Sequence, residues 1–230
     1  IGEIIDFFSS ISEYPDARVI LLRGRGKSFC AGADLNYMKG IAEFGFEENY
    51  QDSLKLAKCF NVIYTCPKPT IAVVHGAAIG GGNGLLASCD MIYCDHETKF
   101  AFSEVKLGIA PATISPYVIK RIGESGARDL MITGRRFLGA EAEKYRLVNK
   151  SLAAEELDEY LAKIIKQLMT SGPDAMSACK RLIYDVANEL TFEDSIDYTA
   201  KMIAELRASD EGQEGMASFL EKRKPNWVKN

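Results

Sequence analysis

The apolar positions of the first half of the chain follow two different spacings. Ile4, Ile5, Phe8 and Ile11 recur on one helical face, which predicts a helix over residues 3–13. "ARVILLRG" and "TIAVVHGAAI" are short aliphatic runs and predict two buried strands. Between them residues 47–65 have helical spacing, closed by Pro67 and Pro69. Further on, "NGLLASC" predicts a short helix, "MIYCD" and "KFAFSEV" short strands, and residues 116–132 and 139–145 helices. From about residue 153 the strand patterns stop, and Glu, Lys, Ala and Leu repeat with helical periods through residue 222. Strands alternating with helices predict an α/β core over 1–152 and a helical region over 153–230, with no Pro/Gly/Ser-rich linker between them. No convincing internal repeat stands out. The chain opens at "IGEIIDFF", already inside an amphipathic pattern and without a Met, so an N-terminal piece is expected to be missing.

Composition narrows the function classes. The 230 residues are 47% hydrophobic and 26% charged, enough for a substantial core, and a net charge of -4 gives no support to nucleic-acid binding. No apolar run is long enough for a transmembrane helix, so no membrane partner is expected. The six cysteines form no CxxC pair and lie mostly in apolar surroundings. They read as reduced thiols in a reducing, cytoplasmic compartment rather than as disulfides or zinc ligands. His75 and His96 do not form a metal-ligand pattern, and His75 reads as a hydrogen-bonded strand-end residue. No metal site is expected.

Three consecutive glycines, Gly80 to Gly82, join an apolar strand to a short helix. "GNGLLA" matches GxGxxA with Glu104 twenty residues after Gly84, which imitates a dinucleotide-binding fingerprint. The next strand starts four residues after Ala87, too soon for the usual crossover helix. The other reading is a site where backbone amides meet a developing oxyanion, which needs two donors from separate segments. The second small-residue loop, "SFCAGADL", is the candidate partner; alone it reads as an ordinary tight turn.

"KSFCAGADL", "GAAIGGGNGLLASCD" and "FAFSEVKLGIAPATISPYVIKRIG" together resemble the crotonase superfamily, the enoyl-CoA hydratases and isomerases. The resemblance runs from "VILLRG" to "KRKPNW". It implies a spiral of ββα units followed by a C-terminal helical region that builds homotrimers or dimers of trimers, without the family's first strands. It further implies that the amides of Ala33 and Gly81 hold the thioester oxygen of an acyl-CoA, and that Ala31, Asp34, Leu35, Ile79, Gly82, Ser103, Pro111 and Ala112 line the substrate and CoA site. Coenzyme A then belongs to the substrate, and no separate cofactor is expected.

Many hydratases of that family carry one glutamate just after the glycines and a second downstream. Here the first position holds Gly84 and the second Glu104, so the resemblance assigns catalysis to Glu104. A single carboxylate suits moving a proton between two carbons, which is isomerase work, whereas hydration usually engages a second acid or base. The segment "SEVKLGIAPATISPYVIKRIGE" with "GGGNGL" nevertheless resembles the methylglutaconyl-CoA and isohexenylglutaconyl-CoA hydratase branch, which acts in leucine or acyclic terpene catabolism on substrates with a distal carboxylate. Hydratase is therefore the expected activity, with isomerase the alternative. A glutamate introduced at Gly84 is expected to restore the two-acid pattern if the fold leaves room. A non-catalytic CoA-binding protein and an RNA-binding protein are weaker readings, the first opposed by Glu104 beside both oxyanion loops and the second by the negative charge.

Overall fold

The structure is a computed structural model that describes residues 1–228. It divides into two compact units. One comprises Ile1–Tyr14, Leu21–Cys66 and Thr70–Leu161; the other comprises Pro15–Ile20, Pro67–Pro69 and the chain from Ala162 on.

The first unit is built on two sheets. After α1 (Gly2–Ser9) and a 3-10 turn (Ile11–Glu13) comes β1 (Ile20–Arg23), then α2 (Leu35–Ile41), α3 (Phe46–Tyr64), β2 (Thr70–Val74), β3 (Ala77–Ile79) and α4 (Gly81–Ala87). The chain continues through β4 (Met91–Asp95), β5 (Lys99–Ala101), a 3-10 turn (Ser103–Leu107), α5 (Ser115–Thr133), β6 (Arg136–Leu138), α6 (Gly139–Lys144) and β7 (Lys150–Leu152). One sheet has the order β1-β2-β4-β7, with β2, β4 and β7 parallel. The other has the order β3-β5-β6, with β3 and β5 parallel and β6 antiparallel to β5. The segments β2-β3-α4 and β4-β5-α5 each place one strand in each sheet and then a helix. These are the ββα units of an α/β crotonase-like spiral.

The structure corrects several expected elements. "TIAVVHGAAI" is two strands in different sheets, broken at His75–Gly76. Gly76 has φ +66°, and a Cβ there would lie 2.0 Å from the Lys27 carbonyl oxygen, so only glycine can turn the chain from one sheet to the other. The ββα repeat escapes the sequence because its second strands are three residues long and share no motif. "ARVILLRG" supplies only the four residues of β1, an edge strand with Leu21 exposed rather than a buried one. The strand in "KFAFSEV" stops at Ala101, and Ser103–Leu107 turns helically, closed by Gly108 at φ +75°. The first helix ends at Ser9. β6, β7 and α2 have no counterpart among the expected elements.

The second unit is helical. α7 (Ala154–Thr170) begins in the first unit and ends in the second, followed by α8 (Pro173–Asn188), α9 (Phe192–Ala208) and α10 (Asp210–Leu220). Side chains close the helix starts: Thr191 Oγ1 accepts from the Asp194 amide at 3.1 Å, Ser209 Oγ from Gly212 at 3.1 Å, and the Glu211 carboxylate from Asp174 and Ala175 at the start of α8. Among the described residues no helix is long and apolar enough to cross a membrane, and no cluster of three or more His, Cys, Asp or Glu could hold a metal ion.

Candidate active site

The two small-residue loops meet because the chain around Cys30 lies beside β3. Cys30 donates its amide to Ala77 and accepts from Ile79, both at 3.0 Å, and the Phe29 amide reaches the His75 carbonyl at 2.9 Å. Cys30 thereby forms a parallel bridge with Ala78. The approach is closest at the third glycine. A Cβ on Gly82 would lie 2.7 Å from Cys30 Cβ and 3.3 Å from its carbonyl oxygen, so any side chain there would push the loops apart. Beyond Cys30 the chain bends through Gly32 at φ +115° and enters α2.

Ala33 sits exposed in that bend, and Gly81 is half-buried as the first residue of α4. First-turn amides of a helix have no partner within it, so the Gly81 N–H is available to an outside acceptor. Asp34 has a local role. Its Oδ1 accepts from the Asn36 and Tyr37 amides at 2.8 and 3.0 Å and caps α2.

Glu104 reaches the site from the 3-10 turn after β5. The Gly80 amide donates to the Ala101 carbonyl at 3.0 Å, which brings the glycine turn against the end of β5. A Cβ built on Gly80 would be 3.4 Å from Glu104 Oε1, so the carboxylate lies directly on the turn that carries Gly81. The other oxygen, Oε2, is buried without a hydrogen-bond partner. Burial pushes the carboxyl up from its ordinary value, against the weaker pull of its own backbone amide.

The position of the family's other acid is closed. A Cβ on Gly84 would lie 2.5 Å from Ile114 Cγ2 and 2.6 Å from Phe60 Cζ, both of them fully buried side chains. The glutamate that the sequence invites at this position has no room. Phe60 and Ile114 carried no sequence signal for this role, since both read simply as apolar positions. Asn83, buried inside the glycine motif, and Arg121 were also missed. The Arg121 guanidinium donates to the carbonyls of Ala87, Cys89 and Asp90 and pins the far end of α4.

The remaining candidates surround these groups unevenly. Ile79 and Ser103 are half-buried and flank the glycine turn and Glu104 in sequence, and Ile79 Cγ2 stands 3.9 Å from a Cβ position on Gly32. Ala31 and Leu35 are exposed on the first loop. Pro111 is buried and Ala112 exposed in the approach to α5, which also supplies Ile114. Neither histidine enters the site: His75 Nε2 pairs with the Gly26 carbonyl and His96 Nδ1 with Ser151 Oγ. The dinucleotide reading fails on topology. The strand that leads into the glycines, β3, pairs with β5 rather than β4, and α4 has only seven residues.

Comparison with known proteins agrees with this geometry. The whole chain, residues 1–230, matches the family described as enoyl-CoA hydratase/isomerase. The crystal structure of an enoyl-CoA hydratase from Shewanella pealeana is 36% identical and superposes with a TM-score of 0.94, over 98% of this chain and 84% of that one. AtuE of Pseudomonas aeruginosa is 33% identical with a TM-score of 0.95, over 99% and 88%. The peroxisomal Delta(3,5)-Delta(2,4)-dienoyl-CoA isomerase of Arabidopsis thaliana is 32% identical over 243 residues, covering 98% of this chain and 87% of its own. With the spiral of ββα units and the two loops joined through Cys30, the chain belongs to the enoyl-CoA hydratase/isomerase family of the crotonase superfamily.

Proposed function

We propose that the chain is an enoyl-CoA hydratase that works with one protein carboxylate. The observation that carries this reading is Glu104, half-buried, laid on the glycine turn, with Oε2 free of any hydrogen bond. The Ala33 and Gly81 amides hold the thioester oxygen. Glu104 takes a proton from a water whose oxygen bonds to the β carbon. The electron pair of the α,β double bond moves to the thioester oxygen as an enolate, which the two amides stabilise; each such donor is worth ~2.7–4 kcal/mol in the barrier. Glu104 then returns its proton to the α carbon. One group that both takes and gives a proton needs a pKa above that of an exposed carboxylate, and burial supplies that direction. Nothing is oxidised or reduced, so the cycle asks for no cofactor beyond the coenzyme A of the substrate.

The finer reading, a branched or carboxylated substrate such as 3-methylglutaconyl-CoA in leucine catabolism, rests on the resemblance of "SEVKLGIAPATISPYVIKRIGE". The second reading, an enoyl-CoA isomerase in which Glu104 alone moves a proton between two carbons, is favoured by the filled position at Gly84. Assembly into trimers or pairs of trimers is supported by Phe192, Phe219 and Leu220, which are 90%, 82% and 78% exposed in the second unit. A cytoplasmic setting is supported by the cysteines, none of the six being in a disulfide.

A panel of acyl-CoA thioesters, read for water addition and for double-bond migration, tests the function. Hydration of at least one α,β-unsaturated thioester is expected; migration without hydration would select the isomerase, and turnover of none would leave only a CoA-binding role. CoA thioesters should also raise the melting temperature, by about 2.7 kcal/mol of stability at a hundred times the dissociation constant, whereas NAD should not.

Glu104→Gln should lower kcat by at least ~10²-fold with a modest change in KM. Its effect on stability has a definite sign. A folded-state pKa above the unfolded value means that the folded chain keeps the proton longer, so stability falls as pH rises through that window. The glutamine variant lacks this penalty. It should melt above the wild type at neutral pH, with the difference vanishing below the ordinary carboxylate range. An unchanged or lower melting temperature at neutral pH would contradict the burial of the charge.

Gly84→Glu should destabilise the fold by about 1–3 kcal/mol, as overpacking does, and should not raise hydration of simple enoyl-CoA chains. Urea denaturation and the same panel read both effects. Light scattering at micromolar concentration should give a trimer or hexamer; a monomer would remove the assembly reading.

A further inference from the structure

The two small-residue loops are fastened to each other through Cys30, Glu104 arrives on the segment after β5, and one buried side chain reaches both sides. Asn83 is fully buried in the first turn of α4. Its Nδ2 lies 3.1 Å from the Ala78 carbonyl in β3, 3.4 Å from the Gly80 carbonyl in the glycine turn, and 2.9 Å from the Ala101 carbonyl that ends β5. Ala101 is three residues ahead of Glu104. Two N–H bonds therefore serve acceptors on both sides of the site. The amide has only one workable orientation, because exchanging its oxygen and nitrogen would set a carbonyl oxygen against three others. The fold keeps this orientation although it leaves Asn83 Oδ1 buried without a partner. A buried acceptor without a donor is unfavourable and calls for a specific reason.

We infer that Asn83 is a positioning residue that fixes the Glu104 segment against the glycine turn, and so sets the reach of the carboxylate to the reacting carbons. The inference rests on the reading of Glu104 as the proton-transferring group. The backbone also ties these segments, through the Gly80 amide to the Ala101 carbonyl and through the pairing of β5 with β3 and β6. Asn83 holds the same carbonyl from the α4 side and so adds a side-chain tie between α4 and the end of β5.

The test is a double-mutant cycle on the intact chain. Asn83→Leu keeps the volume and removes both donors; Asn83→Ser removes reach and leaves space. In each, kcat on the best enoyl-CoA of the panel should fall about 10²-fold, the scale of a small misplacement of a reacting group, while KM moves less than threefold. In a Glu104→Gln background, where the misplaced group is already disabled, Asn83→Leu should cost less than threefold more. A merely structural role would lower the melting temperature, yet its effect on kcat would add fully to that of Glu104→Gln. Full additivity, or folded variants with kcat within threefold of the wild type, would overturn the inference. So would failure of both variants to fold, which would assign Asn83 to the fold alone. A wild type that turns over no enoyl-CoA would instead overturn the function proposed for Glu104, and the role of Asn83 with it.

Discussion

The site depends on backbone approaching backbone at a distance that no side chain permits. Gly82 faces Cys30 where a Cβ would stand 2.7 Å from its Cβ. That contact lies beside the parallel bridge between Cys30 and Ala78, and the bridge brings together two loops some fifty residues apart. Gly76 does the equivalent one strand earlier, where its positive φ sends the chain from the four-stranded sheet into the three-stranded one. A larger residue at Gly76 or Gly82 would disturb the path of the spiral before it disturbed any chemistry. Catalytic geometry and fold are specified here by the same few backbone positions.

Much of this was legible in the sequence, and what was not has a physical explanation. A long amphipathic segment such as α3 shows because its apolar spacing repeats over nineteen residues, whereas α5 is broken at Gly123, with φ +68°. The three consecutive glycines show because such a run calls for close approach or special backbone geometry, and the "CAGAD" loop shows only beside them, since alone it reads as an ordinary tight turn. Strands of three residues, such as β6 and β7, hold no period to read; β7 is placed by its pairing with β4 and β6 by its pairing with β5. Glu104 looked like a strand residue because "KFAFSEV" has strand propensity throughout, and the turn is set by Gly108 and by contact with Gly80. Whether Gly84 leaves room for an acid was unreadable, because the answer lies with Phe60, twenty-four residues before it, and Ile114, thirty after.

Stability is given up where the chemistry sits. Among the described residues three buried side-chain atoms have no hydrogen-bond partner: Arg18 Nε, Asn83 Oδ1 and Glu104 Oε2. Two of the three flank the glycine turn. The two belong to segments twenty-one residues apart that meet at this turn, as a site whose proposed carboxylate is kept poised for its substrate would have them. In the proposed mechanism an unpartnered Oε2 has a use, since a permanent donor would lower the pKa of Glu104 and occupy the oxygen that takes the proton.

The same packing bears on which reaction the site favours. An enzyme with two acids can divide the work, one activating water while the other protonates carbon. With Phe60 and Ile114 packed against Gly84, that division is closed to this chain at the usual position. What remains, in the proposed mechanism, is a shuttle in which one carboxylate acts twice, and a shuttle serves hydration only if water stands between it and the β carbon. If the acyl chain itself fills that space, the same proton travels to a more distant carbon and the double bond migrates. The choice between the two outcomes therefore passes from the acids to the room left for one water beside Glu104.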